Sequence, residues 1–169
     1  MTPEEAIVNA MEYETRIRDL YRDAADRSED PNGKRVFSAL GDEEQGHLDY
    51  LENRLRQWRE TGEITVEHLA SVVPDEDTLQ REMGKLQDRA SRDDRKNEKQ
   101  MLSKALELEV QTSDFYRRMV EEMSDEARDM FSRFLEIEND HIRIVQAQLD
   151  HLSHTGYWFG VKEFGLDHS

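Results

Sequence analysis

The chain has 169 residues, a length that fits one domain with a real core. Charged residues make up 37% and hydrophobic residues 36%, as long amphipathic helices with solvated outer faces produce, and the formal net charge of −16 repels nucleic acid and anionic membrane surfaces. There is no cysteine, which excludes disulfides, thiolate catalysis, iron–sulfur clusters and zinc ribbons, so any metal must be held by Glu, Asp and His.

Four long helical patterns follow one another. The first opens with Thr2 as N-cap, Pro3 at the first helical position, and Glu4 and Glu5 on the positive end of the dipole. Its stripe is Ile7, Met11, Glu14, Ile17, Tyr21 and Ala24, in steps of four and three. After SEDPNG, Asp30 caps a second helix with Pro31 at its start. The second stripe is Phe37, Leu40, Glu44, His47 with Leu48, Leu51, Leu55 and Trp58, stopping near Gly62. Residues 62–92 read as a crossover: a connection closed by Pro74, then a short amphipathic helix carrying Leu79, Met83, Leu86 and Ala90.

The third long helix is expected to start within 92–98, with Leu102, Ala105, Glu109, Thr112, Tyr116, Met119 and Met123 on its stripe. Ser124 reads as a cap before the fourth helix. That stripe is Ala127, Phe131, Phe134, Glu138, His141, Val145, Leu149 and Leu152, ending before Gly156. Repeats of about seven residues predict four-helix-bundle packing. Short, long and short connections predict two antiparallel hairpins joined by a long crossover. The bundle is expected to span residues 1–155. Residues 156–169 form an aromatic tail whose Trp158 and Phe159 are expected to pack over the bundle or a partner subunit.

Every stripe is interrupted near its middle. Glu14, Glu44, Glu109 and Glu138, with His47 and His141, stand where Leu or Ile belongs. Burying unpaired carboxylates costs several kcal/mol each, on the order expected for desolvated ions. Glu14 lies about 15–16 residues before the turn near Asp30 and Glu44 about 14 after it; Glu109 and Glu138 flank Ser124 by 15 and 14. At a fixed rise per residue, each pair stands at one height on facing helices. Residues three apart share a face, so each histidine points where its glutamate points.

The halves repeat. Glu14 to Glu109 and Tyr21 to Tyr116 are each 95 positions; Glu44 to Glu138 and His47 to His141 are each 94. Two equivalent hairpins imply a pseudo-twofold site of four carboxylates and two imidazoles, whose charge two divalent cations cancel. Mixed oxygen and nitrogen donors suit iron, manganese or zinc. Other candidates carry less. Glu43 and Asp140 read as solvated or supporting side chains, not ligands. His151 and His154 read as helix-end residues favoured by the dipole. The stripe methionines read as core, and His68 and His168 support no assignment.

These residues resemble the ferritin-like superfamily, most closely the di-iron carboxylate pattern of rubrerythrins and bacterioferritins, over roughly residues 4–153. That pattern is a Glu from each of two helices plus a Glu-x-x-His from each of the other two. Glu14 and Glu109 match the single glutamates; Glu44-Gln-Gly-His47 and Glu138-Asn-Asp-His141 match the motifs. Either Glu44 and Glu138, or Glu14 and Glu109, would bridge. The resemblance implies that Tyr21 and Tyr116 hydrogen-bond ligand carboxylates across the site, where a tyrosine could also relay an electron or proton. Two departures stand out. Rubrerythrins carry a cysteine-ligated rubredoxin domain, so here electrons must come from an external donor. Rubrerythrins also carry an extra carboxylate one turn after the third-helix ligand, where this chain has Thr112, with Ile17 as its counterpart.

The resemblance implies a di-iron oxidoreductase that uses hydrogen peroxide or dioxygen to oxidise Fe(II), in peroxide or oxygen detoxification, and a homodimer. Two iron ions are the expected cofactor, with manganese or zinc as alternatives. A ferroxidase or iron-handling protein is the second reading and a manganese catalase the third. The rival of another class is a structural bundle whose metal only staples the helices. The opening MTPEEAIVNAMEYE has neither a basic n-region nor an apolar h-region, and no stretch approaches the ~18 apolar residues of a membrane span. A cytoplasmic protein is the expectation.

Overall fold

Thr2 opens the first helix by a reciprocal cap. Its hydroxyl accepts the Glu5 backbone N–H at 3.2 Å, and the Glu5 carboxylate accepts the Thr2 backbone N–H at 3.4 Å. Helix α1 (Pro3–Arg27) then runs to Ser28. Asp30 starts α2 (Pro31–Thr61), its carboxylate accepting the Asn32 N–H at 2.8 Å. Gly62 ends α2 at φ 72, a left-handed conformation that lacks steric cost only for glycine, and its N–H returns to the Trp58 carbonyl at 2.8 Å. Helices α3 (Lys96–Glu122) and α4 (Asp125–Thr155) meet across Met123 and Ser124. The fourth helix starts on Asp125 at φ 55, a left-handed position that aspartate tolerates better than most residues.

A computed structural model describes residues 1–66, 69, 96–155 and 158 of the chain. The expectations for Pro74, for the short helix at 75–90, and for His68, Phe159 and His168 fall outside those residues. Among the described residues there are four helices and no strand, and no helix is long and apolar enough to cross a membrane.

The molecule is an all-α, ferritin-like four-helix bundle. Helices α1 and α2 pack as one hairpin, α3 and α4 as the other, and α1 packs on α3. Tyr21 meets Glu109 while Tyr116 meets Glu14, so α1 and α3 run antiparallel. Helices α2 and α3 therefore run parallel, so the end of α2 and the start of α3 lie at opposite ends of the bundle. The internal repeat extends to the helix bounds: α2 and α4 are each 31 residues long.

The apolar core comes in two halves. One, nearest the α1–α2 turn, holds Ile17, Tyr21, Phe37, Leu40, Leu102 and Val145. The other, nearest the α3–α4 turn, holds Ile7, Leu51, Tyr116, Met119, Phe131 and Phe134. Each fully buried large side chain contributes about 1.5–3 kcal/mol. Three residues past the ends of α2 and α4, Ile64 and Trp158 are both buried and close opposite ends of the bundle. Trp158 sets its ring edge-on to Phe37 at 5.2 Å and donates its indole N–H to the buried Glu98 carboxylate at 2.8 Å. Glu98 also accepts the Asp30 backbone N–H at 3.2 Å, tying the tail to the α1–α2 turn.

The indole lies so close to α2 that a Cβ at Gly33 would stand 2.9 Å from it. Gly33→Ala should therefore displace Trp158. Overpacking costs about 1–3 kcal/mol and outweighs the roughly 0.5–1 kcal/mol that alanine adds to the helix. Urea denaturation should show a net loss, and in a Trp58→Phe background the Trp158 emission should shift to the red. An unshifted emission with unchanged stability would contradict this packing.

Candidate metal centre

The polar layer lies between the two apolar halves. Glu14 comes from α1, Glu44 and His47 from α2, Glu109 from α3, and Glu138 and His141 from α4, and all six are buried. One donor atom from each of Glu14, Glu44, His47 and Glu138 lies within 4.8 Å of the others, and the same holds for Glu44, Glu109, Glu138 and His141. Glu44 and Glu138 belong to both groups. Glu14 with His47, and Glu109 with His141, belong to one each of these two, and His47 and His141 form a third such group with Glu43.

Both imidazoles aim Nδ1 into the carboxylates. His47 Nδ1 lies 3.2 Å from Glu44, 3.4 Å from Glu14 and 3.6 Å from Glu138. His141 Nδ1 lies 2.8 Å from Glu44, 3.4 Å from Glu109 and 3.8 Å from Glu138. The rings stack 5.6 Å apart at 13°.

The two tyrosines cross the site. Tyr21 on α1 donates to Glu109 on α3 at 2.7 Å, and Tyr116 on α3 donates to Glu14 on α1 at 2.6 Å. Behind each stands an equivalent phenylalanine: Tyr21 on Phe37 at 6.3 Å and Tyr116 on Phe131 at 5.9 Å, both tilted by 32°. Polar contacts beside the two motifs also correspond. Arg18 donates to Gln45 at 2.9 Å, and Ser113 to Asn139 at 2.8 Å, one helix to its hairpin partner in each case. Thr112 is buried and donates to the Leu108 carbonyl at 2.8 Å, while Ile17 lies in the apolar core.

Glu43 is more involved than its sequence suggests. Its side chain is only 7% exposed, and its Oε1 accepts from His141 Nε2 at 3.1 Å and lies 4.0 Å from His47 Nε2. The available signal was its i, i+4 spacing to His47. That spacing is common in so acidic a helix, and the contact with His141 spans two elements. Asp140 pairs with Arg143 on its own helix.

The carboxylates divide by charge. Burial raises Glu14, but the His47 charge and hydrogen bonds from Glu44, His47 and Tyr116 outweigh it and hold the group at about 2. Burial is likewise overcome at Glu109, which is lowered by the close Glu138 and His141 side chains, the His141 charge and the Tyr21 hydroxyl. Burial and the Glu14 charge push Glu44 up to about 8, and burial with the Glu109 charge raises Glu138 well above its usual value. Burial opposes protonation of the imidazoles, yet Glu44 and Glu14 lift His47 to about 10, and Glu43, Glu109 and Glu44 raise His141 strongly. Burial and the facing carboxylates raise both tyrosines well above 10, so they remain donors. Two ionised carboxylates then face two imidazolium rings across two protonated shared carboxyls.

The donor set fits divalent cations. Among the described residues, Glu44 Oε1, Glu109 Oε2, both oxygens of Glu138 and His141 Nδ1 have no hydrogen-bond partner although buried. Buried lone pairs without donors are costly. Here they converge, which is the arrangement a cation satisfies. Oxygen and imidazole donors suit iron, manganese and zinc.

The sequence matches the protein-family model described as Rubrerythrin over residues 5–149. Searches of curated proteins and of solved structures give no match.

Cation binding must displace the protons on Glu44, Glu138, His47 and His141. Loading the metal-free protein with Co(II) at pH 7 should release about four protons for two ions, measured by calorimetry in buffers of different ionisation enthalpy. Apparent affinity should fall as pH is lowered, because these raised groups hold their protons more tightly. Without metal, Glu44 and His47 stabilise the fold while protonated, and that contribution is lost progressively as pH rises from 4.5 to about 8 for Glu44 and from 6.5 to about 10 for His47. Melting temperature should therefore drop across that window in the metal-free protein and much less in the loaded one. PH-independent uptake would contradict this charge arrangement.

Proposed function

Because the chain belongs to the rubrerythrin family, we propose that it is a di-iron oxidoreductase that reduces hydrogen peroxide or dioxygen. The observation that carries the reading is the sharing of Glu44 and Glu138 between two buried donor groups. Glu14 and His47 would hold one ion, Glu109 and His141 the other, with Glu44 and Glu138 bridging. Four carboxylates balance two divalent charges, so the loaded layer can stay buried without a net deficit. When bound, two Fe(II) ions would supply the two electrons that, with two protons, reduce one hydrogen peroxide to two waters.

The surrounding side chains hold that chemistry in place. The Tyr21 and Tyr116 hydroxyls fix the orientation of Glu109 and Glu14, each holding an O–H donor whose oxygen is 2.7 and 2.6 Å from the carboxylate. The apolar halves on either side exclude bulk water, which strengthens each charge interaction in the layer. The 169 residues contain no cysteine, so reducing equivalents come from a donor outside them.

Iron oxidation and handling is a second reading. It is favoured by Thr112 and Ile17, which leave both positions after the single glutamates without a further carboxylate. The two readings differ in what restores Fe(II).

Anaerobic loading with Fe(II), then one hydrogen peroxide per two ions, should give ferric absorption at once and steady turnover when a reductant is supplied. Ferric absorption without turnover under any reductant favours the second reading. Uptake of two ions that raises the melting temperature without oxidation leaves only a metal staple. Glu109→Ala should lower affinity at one position by more than the roughly 10–100-fold typical of outer partners. Unaltered ferric absorption in that variant would overturn the proposed ligand set.

A further inference from the structure

The two halves of the centre match at six ligands and two tyrosines but not at the outer side of the histidines. A metal-binding imidazole uses one nitrogen lone pair and carries hydrogen on the other. An acceptor for that N–H fixes the tautomer and aims the ring. His141 has one: Glu43 Oε1, 3.1 Å from its Nε2. His47 does not. Its Nε2 is 4.0 Å from the same oxygen and, among the described residues, has no hydrogen-bond partner. The repeat explains the difference. The residue before Glu44 is Glu43, whereas the residue before Glu138 is Ile137, fully buried and unable to accept.

We infer that Glu43 makes the two cation positions unequal: it orients His141 and not His47, so the position formed with Glu109 and His141 fills first. The inference rests on the dinuclear reading above and deepens it. Glu43 is a positioning residue, since it reaches the centre only through His141. Its side chain is largely shielded, so water competes weakly for the contact. One carboxylate cannot serve both rings equally from where it stands, and the second ion enters a position whose imidazole is less fixed.

The test is anaerobic Co(II) titration of the full chain, followed by calorimetry and visible absorption. The wild type should bind two ions with distinct affinities. Glu109→Gln should remove the tighter step and Glu14→Gln the weaker. Glu43→Ile, which installs the residue found in the other half, should weaken the tighter step by about 10–100-fold and leave the weaker one in place. Glu43→Gln keeps the volume and an acceptor oxygen, so it should act in the same selective direction by a smaller factor; it keeps the test decisive should the isoleucine variant fail to fold. Two indistinguishable affinities in the wild type, or equal weakening of both steps in either Glu43 variant, overturn the inference while the dinuclear site stands. A wild type that binds no Co(II) overturns both.

Discussion

Four carboxylates and two imidazoles at mid-height inside a helical bundle are the constraint to which the rest of the molecule conforms. Removing an ion from water costs several kcal/mol even after relaxation, on the order of what two or three buried aliphatic side chains return. The layer cuts the apolar core into an upper and a lower half that must each be well packed. It also dictates pairing across the bundle. Tyr21 and Tyr116 reach over to the opposite glutamates, so the hydrogen bonds that satisfy the layer also lock α1 against α3.

Within the metal-free layer, the division of charge follows from position. Glu14 and Glu109 stand at the flanks, where a tyrosine and a histidine each favour the ionised form. Glu44 and Glu138 stand between them, where burial and then the neighbouring negative charges favour the protonated form. Like charges held this close cannot all ionise. The centre is thus held together by the protons on its raised groups.

The pseudo-twofold repeat runs deeper than the ligands. It relates Tyr21 and Phe37 to Tyr116 and Phe131, the Arg18–Gln45 contact to Ser113–Asn139, and the end plug Ile64 to Trp158. Where it breaks, a polar group has been added on one side only. Glu98 accepts from the tail indole and the α1–α2 turn, and Glu43 accepts from His141. Each addition distinguishes one half from the other without disturbing the shared packing.

The residue spacing alone determined the helices, their order, the four-helix bundle and the meeting of six side chains. A helix advances by a fixed rise and rotation, so equal runs either side of a turn set height, and three-residue intervals set the face. Asp30 and Gly62 marked ends through backbone chemistry that is local. The extra carboxylate missing at Thr112 was legible for the same reason. Other features depended on distances between side chains of different helices, which no interval along the chain encodes. Tertiary structure alone brought Glu44 and Glu138 within reach of both flanking Glu–His pairs. It also turned Glu43 toward His141, because one end of a buried side chain's reach is set by the neighbouring helix and not by its own.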